Sequence, residues 1–137
     1  AACTLCPVNT YLAAKGSTTN ACVACHANSQ SEEGSNNFND CQCNLGYTGS
    51  SGSCTICGAG TYKETLGSSA CKKCSKDTYS TATGATSSST CQACDGNAEA
   101  PVGSGAASAC VCNAGYSGSN GGACTACTAG TYQKVAG

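Results

Sequence analysis

Closely spaced pairs of cysteines, which we call doublets, constrain the fold of this chain more than any other feature. All 16 cysteines fall into them. The doublets are Cys3/Cys6, Cys22/Cys25, Cys41/Cys43, Cys54/Cys57, Cys71/Cys74, Cys91/Cys94, Cys110/Cys112 and Cys124/Cys127. A cysteine share above about 8–10% in a short chain is typical of a disulfide scaffold. Because cytosolic thiols are kept reduced, disulfides in this number indicate an oxidising compartment.

Large apolar side chains are too few to build a conventional core. The chain has no Met or Trp, its one Phe is Phe38, and its large aliphatic residues are scattered singly. Burial of apolar surface yields only about 25 cal/mol per Å², whereas ordering a residue costs roughly 1.5 kcal/mol. We therefore expect covalent cross-links to supply the stability that a core would otherwise give.

Three kinds of loop join the doublets and recur along the chain. The first kind has the pattern Cys-x-x-Cys-x-x-x-Thr-Tyr-x-x-x-x-Gly and spans residues 3–16, 54–67, 71–84 and 124–137. The second kind joins Cys25 to Cys41 and Cys94 to Cys110, and the third begins at Cys41 and Cys110 with the related sequences CQCNLGYTG and CVCNAGYSG. Four copies of one spacing indicate tandem repeats.

The order of the loops divides the chain into repeat units. Residues 3–53 form a unit of three loops, residues 54–123 a unit of four, and residues 124–137 the start of a further, truncated unit. We therefore expect the chain to be one segment of a longer array. No window has a sustained 3.6-residue period, so no helix is predicted. The sequence predicts a small disulfide-rich fold, an elongated tandem array of short irregular β modules with little hydrophobic core, each touching mainly its neighbours.

Two positions of the repeat have a structural interpretation. The residue before Thr-Tyr is Asn9, Gly60, Asp77 or Gly130, and these types tolerate positive φ, so a tight turn is predicted there. Six tyrosines are predicted to be structural: Tyr11, Tyr47, Tyr62, Tyr79, Tyr116 and Tyr132. In loops of the first kind we expect the ring to cover a disulfide while the hydroxyl stays in water.

The disulfide pairing has two candidate patterns, because sequence alone does not fix connectivity. In the sequential pattern each loop closes on itself, and Cys3 and Cys127 find partners outside the segment. Its pairs are Cys6–Cys22, Cys25–Cys41, Cys43–Cys54, Cys57–Cys71, Cys74–Cys91, Cys94–Cys110 and Cys112–Cys124. In the interleaved pattern neighbouring doublets pair crosswise, for example Cys3–Cys22 with Cys6–Cys25. We favour the sequential pattern because it gives every loop its own closure, worth roughly 3 kcal/mol for a loop of about 15 residues.

Two stretches of the chain resemble known extracellular modules. The stretch from Cys57-Gly-Ala-Gly-Thr-Tyr62 to Cys71 resembles the small looped module of tumour-necrosis-factor receptors. The stretch from Cys43-Asn-Leu-Gly-Tyr-Thr-Gly to Cys54 resembles the C-terminal half of an EGF-like domain. The combination is similar to the ephrin-receptor-like cysteine-rich repeats of large protist and algal surface proteins. The resemblance implies the sequential pairing and an extracellular repeating architecture, and it carries no ligand site.

Metal binding and catalysis are the alternatives to a structural role. The spacing of Cys54, Cys57, Cys71 and Cys74 suits a zinc ribbon, although the continuous run of doublets argues against it. His26 beside Cys25 is the one Cys–His neighbour pair, and a thiol enzyme needs a free thiolate. We expect His26 to be an exposed loop residue, and we predict no enzyme activity, cofactor or metal.

The expected partners are other copies of the repeat. The net charge is −1 and the chain has no Arg, so no nucleic acid is predicted. No apolar run approaches the roughly 20 residues of a membrane span. The Ser/Thr-rich stretch 81–90 fits O-linked glycans, and a bare flexible loop fits it equally well. We expect a segment of an extracellular or cell-surface fibre, matrix or appendage whose partners are neighbouring repeats or identical chains. The alternative is a receptor or adhesin ectodomain with ligand-binding repeats.

Overall fold

The computed structural model describes residues 2–50 and 52–137, and the chain there forms short two-stranded antiparallel hairpins. The strands are β1 Thr10–Tyr11, β2 Val23–Ala24, β3 Ser29–Gln30, β4 Gln42–Cys43, β5 Tyr47–Ser50, β6 Ser53–Ile56, β7 Thr61–Tyr62, β8 Lys72–Lys73, β9 Thr78–Tyr79, β10 Gln92–Ala93, β11 Ala98–Glu99, β12 Val111–Cys112, β13 Tyr116–Ser117 and β14 Thr125–Ala126. Three short 3-10 helices, Phe38–Asp40, Ser88–Thr90 and Ala107–Ala109, are the helical elements of the described residues. The prediction of a small disulfide-rich fold of tandem β modules is confirmed.

Each hairpin joins a loop to the doublet that follows it. Thr10 and Tyr11 of β1 pair with Ala24 and Val23 of β2, which are the residues between Cys22 and Cys25. The same pairing joins β7 to β8 and β9 to β10. Because side chains alternate along a strand, cysteines three residues apart lie on opposite sides of it. One sulfur of such a doublet therefore closes the preceding loop and the other opens the next.

Seven disulfides hold the loops, and they are the pairs of the sequential pattern. They are Cys6–Cys22, Cys25–Cys41, Cys43–Cys54, Cys57–Cys71, Cys74–Cys91, Cys94–Cys110 and Cys112–Cys124. Among the described residues, Cys3 and Cys127 carry free thiols; Cys3 is exposed and Cys127 is half-buried. Every closed loop thus begins and ends at its own disulfide.

The chain divides into two compact units, each with its own hairpins. One unit comprises the chain up to Ile56 together with Thr65–Ala70, and it contains β1 to β6. The other comprises Cys57–Glu64 and Cys71–Gly137, and it contains β7 to β14.

The interior consists of cystines and small residues, together with Lys63, which is 1% exposed. In the second unit, Ala98 and Ala100 pack with Cys110, Cys112 and Cys124. Most of the large aliphatic side chains are instead exposed, for example Leu5, Val23 and Ile56. The expected scarcity of core is therefore what the structure shows, with disulfides in the positions that large apolar side chains occupy in other small domains.

The predicted turn before Thr-Tyr is confirmed in all four loops of the first kind. The φ angles are 64° at Asn9, 77° at Gly60, 63° at Asp77 and 85° at Gly130. Asn and Asp adopt this left-handed region more readily than other residues with a side chain. The sequence alternates between these types and Gly because the backbone geometry of the turn is fixed.

Candidate functional site

The Thr of the Thr-Tyr motif fixes the turn at the start of each loop. In Thr61 both the amide and the hydroxyl donate to the carbonyl of Gly58, at 3.2 and 2.7 Å. The hydroxyl makes the same 2.7 Å bond in every copy: Thr10 to Pro7, Thr61 to Gly58, Thr78 to Ser75 and Thr131 to Thr128. Sequence reasoning singled out the neighbouring Tyr and gave Thr no role, although its recurrence was visible.

Three pairs of adjacent loops are each joined by a set of three backbone hydrogen bonds, which we call the junction. First, the turn amide of one loop donates to a carbonyl of the next loop. These bonds run from Asn9 to Ser31 (2.9 Å), from Gly60 to Ser80 (2.7 Å) and from Asp77 to Ala100 (2.9 Å). The turn that the sequence predicts is therefore also a docking point between loops.

Two further bonds complete each junction. The amide three residues after the turn donates to the next loop: Leu12 to Ser35 (3.1 Å), Lys63 to Ala85 (2.9 Å) and Ser80 to Ser104 (3.0 Å). A glycine amide of the next loop donates back to a cysteine carbonyl: Gly34 to Cys6 (2.8 Å), Gly84 to Cys57 (2.7 Å) and Gly103 to Cys74 (2.9 Å). Three junctions thus repeat one geometry, and backbone atoms alone form it.

The last loop presents the same junction groups without bonds to them. By position in the repeat these are the carbonyl of Cys127 and the amides of Gly130 and Gln133. Within residues 2–50 and 52–137 none of the three has a hydrogen-bond partner. Tyr132 beside them is 85% exposed, unlike the half-buried tyrosines of the other loops.

The first loop presents the complementary groups. The amide of Gly16 and the carbonyls of Leu12 and Ser17 stand where Gly84, Ser80 and Ala85 stand in a bonded loop. Among the described residues these groups also lack backbone partners. Gly16 has a φ of 70°, in the same region as the glycines that complete the three bonded junctions. The two ends of the chain thus carry opposite halves of one junction.

The predicted structural tyrosines are half-buried, apart from Tyr132. Tyr79 and Tyr116 pack against the cluster that contains Cys110 and Cys112, and the hydroxyl of Tyr79 donates to Oε1 of Gln92 at 3.0 Å. Tyr11 meets Phe38 edge to face at 5.8 Å between ring centroids. Tyr47 and Tyr62 are likewise half-buried.

The position of His26 differs from the expected exposed loop. The side chain is half-buried, and its Nε2 lies 3.2 Å from Sγ of Cys54. Its Nδ1 is buried without a hydrogen-bond partner, and its ring lies 5.8 Å from that of Phe38. Sequence reasoning missed this contact because the two residues lie 28 positions apart.

The four cysteines of the zinc alternative do not form a common site. Cys54 is bonded to Cys43, Cys57 to Cys71, and Cys74 to Cys91. Zinc binds cysteine as the thiolate, and these sulfurs are instead consumed by three different disulfides. The zinc ribbon suggested by the spacing is therefore not what the chain builds.

Two charged side chains have environments that change their pKa. Lys63 is only 1% exposed, and burial lowers its pKa. Glu64 accepts a hydrogen bond from the amide of Ser88 at 3.2 Å and one from Nζ of Lys72 at 3.4 Å. The Ser88 bond first, and then Lys72, hold the pKa of Glu64 below its ordinary value. Lys63 and Glu64 are the two residues after Tyr62, and they belong to the loop between Cys57 and Cys71.

The fold and these junctions define a class, the disulfide-stabilised tandem cysteine-rich repeats. Residues 46–91, about a third of the chain, match the family model described as tyrosine-protein kinase ephrin type A/B receptor-like. The ephrin-receptor-like resemblance is thereby confirmed over that segment. A comparison with curated proteins gave no match. Within the described part of the chain, no helix is long and apolar enough to cross a bilayer.

Proposed function

We propose that this chain is a structural, non-catalytic segment of an extracellular or cell-surface fibre, matrix or appendage, in which disulfide-closed loops dock one on the next. The observation that carries the proposal is the junction, which recurs with the same three backbone bonds between three pairs of loops. The junction requires a glycine in the second loop but no other particular residue type, so any loop of the first kind can dock on the next loop in the same way. Seven disulfides suit such a chain to an oxidising environment.

The unbonded junction groups of the first and last loops indicate which partner this chain would bind. The face formed by Cys127, Gly130 and Gln133 fits the groups that Leu12, Gly16 and Ser17 present. The partner is a loop of the same kind, contributed by a neighbouring repeat or by an identical chain. In the second case the contact runs head to tail, and such contacts build a filament when their rotation does not close into a ring.

The free thiols provide a direct test. Within the chain a doublet's first cysteine closes one loop and its second opens the next, so Cys127 lacks a closing cysteine and Cys3 lacks a loop to close. We expect mild oxidation of the concentrated chain to give a ladder of oligomers on non-reducing electrophoresis, joined Cys127 to Cys3 in disulfide mapping. Cys127→Ser should abolish the ladder. A chain that stays monomeric in analytical ultracentrifugation, with both thiols still free, would contradict assembly of identical chains.

A receptor or adhesin ectodomain is the second candidate, and the receptor-like family that residues 46–91 match favours it. Such a protein binds a ligand on its repeats instead of binding its own ends. Saturable binding of the labelled chain to intact cells, unaffected by Cys127→Ser, would support this candidate. If Cys127→Ser abolishes both self-association and binding to cells, the result would support the structural role.

We also propose O-linked glycans on the Ser/Thr-rich stretch 81–90. Thr81, Thr83 and Thr86 are exposed there, so their hydroxyls are open to modification. The end of the stretch is not a bare flexible loop, because it forms the helix Ser88–Thr90, which Ser87 caps. Intact-mass measurement of the secreted chain before and after O-glycan removal tests the modification.

A further inference from the structure

The one histidine of the chain lies against one particular disulfide. We propose that Cys43–Cys54 is a thiol-exchange site, at which His26 promotes formation of a mixed disulfide between Cys54 and an incoming thiol. This modification site is independent of the assembly proposed above, because it lies within a closed loop and uses neither free cysteine.

The geometry around this disulfide supplies the needed groups. Nε2 of His26 lies 3.2 Å from Sγ of Cys54. One ring nitrogen and the sulfurs of Cys43 and Cys54 all lie within 4.8 Å of one another. A neighbouring imidazole that donates to sulfur stabilises a thiolate and lowers its pKa. An S–S bond breaks faster when the departing sulfur is the more stable thiolate.

Accessibility decides which sulfur reacts with the incoming thiol. Cys43 is 3% exposed, whereas Cys54 and His26 are half-buried. The incoming group therefore reaches Cys54 and bonds to its Sγ. The S–S bond breaks, and both of its electrons remain on Sγ of Cys43. This sulfur lies within 4.8 Å of a ring nitrogen of His26.

The atoms and electrons of the exchange balance without any further oxidant. A thiol RSH enters as the thiolate RS⁻, and its sulfur is oxidised to the disulfide level in the bond to Cys54. Cys43 is reduced in the same step, and its thiolate forms within 4.8 Å of a ring nitrogen of His26. The proton released when RSH ionised ends on Cys43, with the imidazole as its carrier.

The chain contains its own control. The loops from Cys94 to Cys124 repeat those from Cys25 to Cys54, and Cys112–Cys124 is the counterpart of Cys43–Cys54. Asp95 replaces His26 at the matching position, and its Oδ1 accepts a 3.0 Å bond from the amide of Asn97. No comparable triple forms there among the described residues.

The test compares the two disulfides in one molecule. Cys3 and Cys127 are first blocked with iodoacetamide, and the intact folded protein is then incubated with reduced glutathione. Acid quenching, alkylation of newly freed thiols and peptide mapping give the initial rates of glutathione addition at Cys54 and Cys124. We expect addition at Cys54 to be roughly tenfold faster, because the nearby imidazole stabilises the departing thiolate of Cys43 and a more stable thiolate departs faster. Equal rates in the wild-type protein would overturn the proposal.

A variant separates the imidazole from simple exposure. His26→Asp introduces the side chain of the second copy, and we expect it to slow addition at Cys54 several-fold while Cys124 keeps its rate. The matched control Asp95→Asn should leave both rates unchanged. An unchanged or faster rate at Cys54 in His26→Asp, with the Cys124 rate unaltered, would show that exposure alone controls the reaction. If the Cys124 rate also rises, the variant has loosened the fold, and His26→Gln, which retains a side-chain donor, replaces it with the same two outcomes.

Discussion

The amide of Gly60 donates a 2.7 Å hydrogen bond to the carbonyl of Ser80, and a Cβ on Gly60 would overlap the backbone carbonyl of Gly103. Gly60 therefore meets loops both one and two positions further along the chain. Its φ of 77° adds a second reason for glycine at this position.

We expect Gly60→Ala to lower the free energy of unfolding by about 2–4 kcal/mol, because backbone strain and overlap act together. Guanidinium unfolding followed by circular dichroism measures the loss. Gly130→Ala is the matched control, since Gly130 has a φ of 85° in the same loop position but no heavy atom near its added Cβ. It should cost only about 1 kcal/mol. Equal losses in the two variants would mean that contact with Gly103 contributes nothing.

The turn hydroxyl makes a smaller and separate contribution. Thr61→Val removes the 2.7 Å bond to the carbonyl of Gly58 while keeping a β-branched side chain. We expect a loss of about 1 kcal/mol, the usual net value of such a bond. Thr55→Val is the control, because Thr55 lies in β6 with an exposed side chain. Unfolding midpoints of both variants decide the matter, and a Thr61→Val protein as stable as Thr55→Val would refute the role of the hydroxyl.

Covalent closure predicts how the chain responds to reagents. Dithiothreitol should unfold it, whereas a chelator should leave its circular dichroism unchanged. Removing one closure with Cys57→Ser/Cys71→Ser should cost about 2–5 kcal/mol, and Cys127→Ser should cost little because that thiol is free. Loss of structure with the chelator alone would point to a metal instead.

Glu64 predicts a dependence of stability on acid. Its pKa is lower in the folded chain than its ordinary value, so its contribution is present above the unfolded pKa and is lost as pH falls through the folded pKa. Glu64→Gln should therefore be less stable than the wild-type chain near neutral pH, and the difference should vanish in strong acid. Thermal melting from pH 7 to pH 2 measures this, with Glu33→Gln as an exposed control. A difference that persists unchanged at pH 2 would exclude the charge as its cause.

Local features were predictable from the sequence, since their causes lie within a few residues. The turn at Asn9 and Asp77 follows from the few side chains that tolerate positive φ, and the loop boundaries follow from the cysteine spacing. The junction was not predictable, because backbone groups form it and no side-chain pattern records it.

The positions of two side chains were not predictable either, because they depend on how the loops pack. Lys63 reads as an ordinary surface residue, yet it is 1% exposed. His26 reads as a loop residue, yet its neighbour Cys54 comes from a different loop. Only the folded arrangement of loops brings such residues to their positions, and a single sequence contains no signal for it.

The doublets also govern how such a chain can change its length over generations. Each short strand between two cysteines ends one closure and begins another, so Lys72–Lys73 belongs equally to the disulfides of Cys71 and Cys74. An in-frame deletion of residues 57–73 would place Cys74 directly after Ile56 and restore a Cys-x-x-Cys spacing. Every remaining cross-link would keep its partner. Duplication of the same stretch would also preserve the disulfide pairing. Recombination between copies can therefore lengthen or shorten the array by whole loops without leaving an unpaired cysteine.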